Sequence, residues 1–192
     1  MKKPLTIVVL GRSGCGKGVQ IERLKNALRP LLAIHTGARF RELVGRKTLA
    51  ASVARGFLAK GNLAPTWLAS FMWIDALMRE LDSKKNVLFD GSPRMYEEAK
   101  LLDDVLGWFG RKDIIALYID ISEREAARRL MERGRGDDHP SAIKNRLSFF
   151  TRHVMPTIKY YRRTGRLIRI NGEQSVDDVS RDIAKALKLN AR

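Results

Sequence analysis

The sequence predicts an α/β fold in which helices flank a doubly wound, parallel sheet of five strands. Two observations support this prediction. Segments with helical periodicity alternate with five apolar runs of strand length, at residues 5–10, 32–34, 86–91, 113–121 and 167–170. A glycine-rich turn connects the first run directly to a helical pattern. Strands that alternate with helices in this way pair in parallel through right-handed crossovers, so that helices cover both faces of the sheet.

The composition indicates a single globular domain with anionic partners. The chain has 192 residues, enough for one core, of which 44% are apolar and 30% are charged. Its net charge of +16 favours nucleotides or nucleic acid as ligands. Residues 121–170 hold thirteen Lys or Arg against five Asp or Glu, a concentration that favours a phosphate-binding cavity over an evenly basic surface.

The same composition favours a cytoplasmic protein without a membrane anchor. The only cysteine, Cys15, excludes an intramolecular disulfide framework and suits a reducing compartment. The apolar run at 5–10 is too short for the core of a signal peptide, and no stretch approaches the roughly 20 apolar residues of a membrane span. The three histidines share no metal-ligand spacing, and we expect them to be incidental.

Gly11, Gly16 and Lys17 stand at the spacing G-x-x-x-x-G-K of a phosphate-binding P-loop. The glycines, Gly14 among them, allow successive backbone N–H groups to point at phosphate oxygens. Lys17 brings a positive charge to the β- and γ-phosphates, and the helix that begins there directs its positive end toward them. A strand before the loop and a helix after it are the context that this motif requires. We therefore predict a P-loop NTPase-type fold.

The run from Gly14 to Gln20, Gly-Cys-Gly-Lys-Gly-Val-Gln, resembles the P-loop of the adenylate kinase branch of the nucleoside monophosphate kinases. That family usually reads Gly-x-Pro-Gly-x-Gly-Lys-Gly-Thr-Gln. Ser13 therefore replaces a proline and Val19 a threonine, so that one hydroxyl near the phosphates is missing. The resemblance covers residues 5–188. It implies that Lys17 is catalytic and that ATP is bound by Gly11, Gly14, Cys15, Gly16, Lys17, Gly18 and Val19.

Residues 35–43 resemble the Ser-Thr-Gly-Asp-x-x-Arg segment by which the same family holds its acceptor nucleotide. Thr36, Gly37 and Arg41 match this segment, whereas Ala38 replaces the aspartate. Without the resemblance, Arg41 is an ordinary charge on a helix surface. Residues 61–65 resemble the family's Gly-x-Leu-Val-Pro turn, where backbone carbonyls approach the acceptor base. The resemblance implies an acceptor-binding insertion over residues 35–65, with Leu63 beside the base.

Asp90 ends an apolar strand in a chain that opens with a P-loop, which is the position where such proteins hold Mg²⁺ and its waters. Residues 90–94 resemble the family's Asp-Gly-Phe-Pro-Arg, with Ser92 in place of phenylalanine. The resemblance implies that Gly91 and Arg94 bind the acceptor, and that Arg94 is catalytic because it bridges the acceptor phosphate and the transferred group. Mg²⁺ bound with ATP is the expected cofactor, held by Asp90 through water.

Glu98 stands where AMP-specific relatives carry a glutamine, four residues after the motif arginine. An ionised carboxylate only accepts hydrogen bonds, so it disfavours adenine N1 and favours the N1–H and N2–H groups of guanine. The alternative is that Glu98, beside Glu97, faces solvent. Thr36 matches the AMP-accepting branch of the family. We therefore expect AMP as the acceptor, bound partly by Glu98 and with relaxed selectivity.

The remaining helices follow from periodicity and from capping residues. We predict helices over 48–60, 68–81 and 123–133, another that ends near residue 106, and an amphipathic tail helix after Ser175. Ser122 and Glu125 form a capping box for the helix at 123–133. Aromatic and leucine side chains at helical spacing are interpreted as core packing rather than as a base-stacking platform: Trp67, Phe71, Trp73 and Leu77.

Residues 129–146 fall where the family carries its lid, a flap whose arginines close over the donor phosphates. They fit the short-lid form, although this chain is several residues shorter than such relatives between Arg133 and Arg135. The segment contains no cysteine, which excludes a zinc-stabilised lid. The resemblance implies catalytic roles for Arg135 and Arg146, and ATP binding by Arg129, Arg133 and Gly172, the last in a loop behind the donor adenine.

The resemblance implies reversible transfer of the γ-phosphoryl group of ATP–Mg²⁺ to AMP, which gives two ADP. Such a transfer needs in-line placement, positive charge and exclusion of water rather than a side-chain base. One alternative is a kinase that accepts GMP, CMP or UMP. Another is a kinase-like P-loop protein whose main role is nucleic-acid binding, which the +16 charge and the short lid favour. We expect nucleic acid to be a secondary partner and the protein to be a monomer.

Overall fold

The computed structural model describes residues 3–59, 65–134 and 139–189. Two predicted site residues, Leu63 and Arg135, lie outside the described residues. The described part contains one five-stranded sheet, formed by β1 (Thr6–Gly11), β2 (Leu31–His35), β3 (Asn86–Asp90), β4 (Ile114–Asp120) and β5 (Leu167–Asn171). Each strand agrees with a predicted apolar run to within one residue at either end.

All neighbouring strands are parallel, in the order β2-β3-β1-β4-β5. β1 lies in the middle, and the chain adds β2 and β3 on one side before it adds β4 and β5 on the other. The predicted doubly wound, parallel sheet is thus confirmed. The pairing places Val9 and His35 opposite Asp90, so the carboxyl ends of β1, β2 and β3 meet at one edge. Open α/β sheets bind their ligands at this edge, where the strand order reverses.

Helices connect the strands and cover both faces of the sheet. In the described part they are α1 (Lys17–Ala27), α2 (Thr36–Val44), α3 (Leu49–Ala59), α4 (Thr66–Glu80), α5 (Tyr96–Trp108), α6 (Glu123–Arg133), α7 (Pro140–Phe149), α8 (Met155–Arg163) and α9 (Val176–Ala186). A π-helical turn, Phe150–Val154, joins α7 to α8 in one continuous helix. Among the helices of the described residues, none has both the length and the apolar content that crossing a membrane requires.

Two apolar layers, one on each face of the sheet, hold the helices against it. Along β1, Val8 and Leu10 pack in one layer with Trp73, while Ile7 and Val9 pack in the other. Successive residues of a strand point to opposite faces, so a strand covered on both faces must be apolar at every position. This is why the central strands read as unbroken apolar runs in the sequence.

The aromatic residues of α4 divide between core and solvent. Trp73 is fully buried and forms an edge-to-face pair with Phe89, as predicted for core packing. Trp67 and Phe71 are 69% and 60% exposed, so the prediction that they also pack in the core was wrong. Trp73 follows Phe71 by two residues, which corresponds to a rotation of about 200° around a helix. The two residues therefore point to opposite sides of α4.

The capping box predicted before α6 is only half formed. Ser122 accepts a hydrogen bond from the Glu125 N–H at 3.2 Å, as an N-cap residue should. The N–H of Ser122, however, donates to Glu173 at 2.7 Å instead of to Glu125. The Glu125 carboxylate accepts hydrogen bonds from Arg128 and Arg129, and these bonds lower the pKa of Glu125 to about 2. The loop after β5 thereby takes part in capping α6.

Candidate active site

The P-loop folds between β1 and α1 as its glycine pattern predicts. Gly14 and Gly16 have φ angles of +87° and +89°, in the left-handed region that residues with a Cβ rarely adopt. A side chain at position 14 would also meet the carbonyl oxygen of Ala126 at 3.0 Å, because the loop rests directly on α6. The shape of the loop therefore depends on glycine at these positions.

Lys17 is the first residue of α1 and reaches back across the loop. Its Nζ donates hydrogen bonds to the carbonyl oxygens of Gly11 at 2.6 Å and Arg12 at 2.8 Å. The amino end of α1 adds its own positive potential at the same place. The loop is thus a compact source of positive charge. The other predicted residues of this segment flank Lys17: buried Cys15 precedes it, and Gly18 and half-exposed Val19 follow it in the first turn of α1.

A cavity of about 120 Å³ opens over the P-loop and brings predicted catalytic residues together. Lys17, Asp90, Arg94 and Arg146 all line it, although they come from α1, β3, the loop after β3 and α7. Three cations and one carboxylate around so small a space give it a net positive potential, which suits phosphoryl oxygens. This cavity is the place in the fold best suited to a phosphoryl group.

A second cavity, of about 430 Å³, adjoins the first. Gly91, Ser92, Arg94 and Phe149 line both cavities, so the two share a wall. The structure brings together in the second cavity the predicted acceptor residues of its described part: Thr36, Gly37, Arg41, Gly91, Arg94 and Glu98. Residues that sequence reasoning missed complete its lining: Phe40, Thr66, Ala69, Ser92, Met95, Phe149 and His153.

Close contacts fix the loop that separates the two cavities. The Thr36 hydroxyl donates to the Ser92 hydroxyl at 2.8 Å, and both residues are buried. Ser92, which replaces the usual phenylalanine, thus joins the loop to the start of α2. Gly91 has a φ of +86°, and a Cβ there would lie 3.3 Å from Nη2 of Arg94. The missing side chain at position 91 leaves room for the Arg94 guanidinium.

Glu98 is buried at the border of the larger cavity, with only 2% of its surface exposed. One carboxylate oxygen accepts from the indole N–H of Trp73 at 3.1 Å, and the other from the backbone N–H of Arg94 at 2.7 Å. The alternative that Glu98 faces solvent was therefore wrong. The sequence offered no means of seeing this, because the partner on α4 precedes Glu98 by 25 residues.

Asp90 ends β3, and its carboxylate is hydrogen-bonded to Nδ1 of His35. Parallel pairing of β2 with β3 places residue 35 directly opposite residue 90. His139 accepts from the N–H of Ala142 at 3.3 Å and caps α7, and His153 lines the larger cavity. Each histidine therefore has a contact or a position that the sequence did not indicate.

Asp90 provides a ligand of the type that Mg²⁺ prefers, at the border of the phosphate cavity. Within the described residues no group of three or more His, Cys, Asp and Glu could hold a metal ion without other ligands. Mg²⁺ keeps several of its waters and usually binds through one or two carboxylates together with substrate phosphates. A single aspartate beside a phosphate cavity fits that pattern.

Arg12, which the sequence analysis did not assign to the site, fastens the P-loop to neighbouring elements. Its Nη1 donates to the carbonyl oxygen of Ile121 at 2.9 Å and lies 3.6 Å from Oδ1 of Asp120. Its guanidinium also lies 4.5 Å from the ring centroid of Phe150, in the π turn. Tyr118 donates to the same aspartate, and burial together with this bond raises the pKa of Tyr118 well above its usual value. Arg12 thus ties the loop to β4 and to the α7–α8 helix.

The remaining residues predicted to bind ATP lie near the end of β4 and along α6. Gly172 follows β5 so closely against β4 that a Cβ would meet methyl groups of Ile119 and Ile121 at 2.8 Å. Arg129 donates from Nε to Glu125 at 2.6 Å, and Arg133 is the last residue of α6. Neither arginine lines the two cavities described above. Their contact with ATP stays a prediction, as does that of Gly172.

Comparison with known proteins agrees with this geometry. The family model described as adenylate kinase matches residues 9–166. The chain belongs to the adenylate kinase family. It is 33% identical to an adenylate kinase of Azobacteroides pseudotrichonymphae over 187 aligned residues. The alignment covers 95% of this chain and 97% of the relative. It is 35% identical over 176 residues to that of Corynebacterium urealyticum, with 92% and 95% covered, and 34% identical over 191 residues to that of Phocaeicola vulgatus, with 96% and 98% covered.

Membership in the adenylate kinase family confirms the predicted class of protein. The chain is a phosphotransferase that binds nucleotides, ATP among them, on an α/β P-loop fold. Adenylate kinases use ATP together with Mg²⁺, which agrees with the position of Asp90. The roles of the individual residues remain predictions, but in the described part the residues predicted for the reacting groups and the acceptor all line two adjoining cavities.

Proposed function

We propose that this protein transfers the γ-phosphoryl group of ATP–Mg²⁺ reversibly to AMP and so produces two ADP. The observation that carries the proposal is that Arg94 lines both the cavity over the P-loop and the larger cavity. A donor phosphate beside Lys17 and an acceptor phosphate beside Arg41 would meet at Arg94. Relatives named adenylate kinase, at 30–35% identity over nearly the whole chain, support AMP as the acceptor.

The side chains contribute position and charge rather than covalent chemistry. Lys17 and Arg146 would neutralise the donor phosphates. Arg94 would contact the phosphoryl group on both the donor and the acceptor side and so would stabilise its charge throughout the transfer. These cations are held on separate elements before the reaction starts, so they stabilise the developing charge without reorganisation. Mg²⁺ would supply further positive charge between the donor phosphates, and Asp90 would hold it through water.

Two regions would close around the nucleotides and exclude water during the transfer. Residues 35–65 would hold the acceptor, as the position of α2 along the larger cavity supports. Residues 129–146 would form the lid over the donor. The lid proposal is supported by Arg146, which extends from α7 into the phosphate cavity. Arg135 is included in the proposal on the resemblance alone.

We propose AMP as the preferred acceptor, with weak discrimination against GMP. Each oxygen of Glu98 already accepts one hydrogen bond and has capacity for one more, but neither can donate to adenine N1. The test is a comparison of AMP, GMP, CMP and UMP with ATP as donor. We expect the highest kcat/KM for AMP. The unfavourable contact between Glu98 and adenine N1 costs about 1–3 kcal/mol and narrows the preference, so the value for GMP should lie within about 100-fold of that for AMP. A higher value for any other monophosphate would contradict the assignment.

The reaction itself is tested by ADP formation from ATP and AMP in the absence of nucleic acid. We expect Lys17→Met to reduce kcat by about 10²–10³-fold or more, because it removes a charge that faces the transferred group. Lys25→Met is the matched control, since Lys25 lies on the same helix and pairs only with exposed Glu22. Absence of ADP formation by the unaltered protein would favour a nucleic-acid-binding role instead. Retention of more than about a tenth of the rate by the Lys17 variant would exclude the proposed role of this residue.

We further propose that the protein acts as a monomer in the cytoplasm. One chain supplies Lys17, Arg41, Asp90 and Arg94 to the two cavities, so the reaction requires no second copy. The single thiol, Cys15, is free and buried, which suits a reducing compartment. Light scattering at the concentration of the assay should give a mass near 21.8 kDa, and a mass twice as large would contradict the monomer.

A further inference from the structure

Basic residues are concentrated along the α7–α8 helix and the strand that follows it. Residues 139–172 contain eight Lys or Arg and no Asp or Glu. Sequence analysis favoured a phosphate-binding cavity for the thirteen cations of residues 121–170, a range that overlaps this one. Of these eight cations, however, only Arg146 lines either of the two cavities. These two cavities therefore do not account for the other seven cations of residues 139–172, whose charge needs another explanation.

Four of these residues form what we call the basic stripe, which consists of Lys144, Arg152, Lys159 and Arg163. They are exposed, and they follow one another at intervals of eight, seven and four residues, which return to the same side of a helix. At 1.5 Å per residue the stripe is about 29 Å long. The other side of the same helix faces the core and is buried at Ile143, Leu147, Phe150, Val154, Ile158 and Tyr161.

The stripe lacks the ion pairs that neutralise other basic parts of the surface. Arg128 on α6 pairs with Glu125 and Glu132, and Arg166, just after α8, pairs with Asp103. In the part of the chain that the structure describes, no carboxylate lies within 4.0 Å of the four stripe residues. Neighbouring like charges repel one another, so the stripe does not help the fold. A bound polyanion would give it a function.

We propose that the basic stripe binds the phosphate backbone of a nucleic-acid duplex, independently of the kinase reaction. Its length corresponds to about eight base-pair steps of 3.4 Å. The exposed hydroxyl group of Ser148, on the same helix, could also donate to a phosphate oxygen. Along this helix the structure exposes no large apolar or aromatic side chain. Single-stranded binding would need such rings for stacking, and membrane binding would need apolar residues to insert.

Contacts with phosphate predict a strong dependence on salt but not on sequence. Four cations that each neutralise one phosphate give a slope of about −3.6 for the logarithm of the binding constant against the logarithm of the salt concentration. Affinity would then fall on the order of 100-fold between 50 and 200 mM salt. RNA and DNA duplexes should behave alike, because the stripe meets phosphates rather than the 2′-hydroxyl or the bases.

The test measures binding of labelled RNA and DNA duplexes by fluorescence anisotropy, with two fourfold variants of the full chain. One replaces Lys144, Arg152, Lys159 and Arg163 by glutamine. The matched control replaces four exposed cations elsewhere, also without an ion pair in the described part: Arg29, Lys84, Lys112 and Lys185. Each variant lowers the net charge from +16 to +12.

We expect the stripe variant to bind duplexes at least about tenfold more weakly and to lose most of the salt slope, whereas the control loses less than about threefold. Lys144 lies in the segment proposed as the lid, so the rate of ADP formation is measured on a variant that replaces only Arg152, Lys159 and Arg163. This variant and the control should form ADP at the unaltered rate, which separates this proposal from the kinase assignment. Equal losses in the two variants would show that net charge alone is responsible and would overturn the proposal. So would absence of duplex binding by the unaltered protein, or stripe-dependent binding of anionic phospholipid vesicles in its place.

Discussion

Replacement of Glu98 by glutamine should destabilise the protein, and the size of the loss should depend on Trp73. The carboxylate accepts from two donors, the buried Trp73 indole N–H at 3.1 Å and the Arg94 N–H at 2.7 Å. A glutamine has one acceptor oxygen, so its NH₂ group must face one of these N–H groups and leave it unpaired. An unpaired buried donor costs about 1–3 kcal/mol. The remaining hydrogen bond then has a neutral amide as its acceptor instead of a carboxylate, which costs about 1 kcal/mol more. We therefore expect Glu98→Gln to lower the free energy of unfolding by about 2–4 kcal/mol.

The assay is urea unfolding followed by far-UV circular dichroism, applied to a double-mutant cycle with Trp73→Phe. Phenylalanine has no N–H, so in that background the glutamine oxygen can accept from Arg94 while its NH₂ group meets no donor. The cost of Glu98→Gln should then fall to about 1 kcal/mol. Glu97→Gln, at the exposed neighbouring position, is the control and should cost less than about 0.5 kcal/mol. Equal costs of Glu98→Gln in both backgrounds would refute the hydrogen-bond reasoning.

Three further substitutions test contacts around the P-loop and the metal. Arg12→Met removes the bond to the Ile121 carbonyl oxygen and should lower the free energy of unfolding by about 1.5–3 kcal/mol in urea; unchanged stability would refute the fastening role. Gly14→Ala forces a Cβ into the left-handed region and should cost at least about 1–2 kcal/mol and raise the KM for ATP, whereas a normal KM would contradict the loop geometry. Asp90→Asn should raise the Mg²⁺ concentration for half-maximal activity about 10–100-fold, with a chelator abolishing activity of the unaltered enzyme; an unshifted Mg²⁺ curve would exclude the assigned role.

The sheet and the P-loop could be predicted because they depend on short, local patterns. A strand buried on both faces must be apolar at each position, so β1 and β4 are visible in the sequence without knowledge of their neighbours. The spacing of Gly11, Gly16 and Lys17 similarly determines a turn whose conformation few other residues allow. The positions of Asp90 and Arg94 followed from a motif at the end of such a strand.

Contacts between distant elements could not be predicted in this way. Glu97 and Glu98 are identical neighbours, yet one is exposed and the other is held in the interior by Trp73. His35 meets Asp90 only because β2 and β3 pair in a particular register. The sequence also shows how many cations residues 139–172 contain but not the side on which they lie. The wider π turn at Phe150–Val154 changes the angular position of the residues that follow it.

The two carbonyl oxygens that accept from Lys17 have a consequence for turnover. Phosphate oxygens bound beside this ammonium group would compete with these carbonyl oxygens for its N–H hydrogens. When the product leaves, Lys17 would donate again to the carbonyl oxygens of Gly11 and Arg12. One set of oxygens would thus replace another around the ammonium group. Release of ADP would then avoid the free-energy penalty of rehydrating an exposed ammonium group. Loaded and empty loops would remain close in free energy, which suits an enzyme whose reaction must run in both directions.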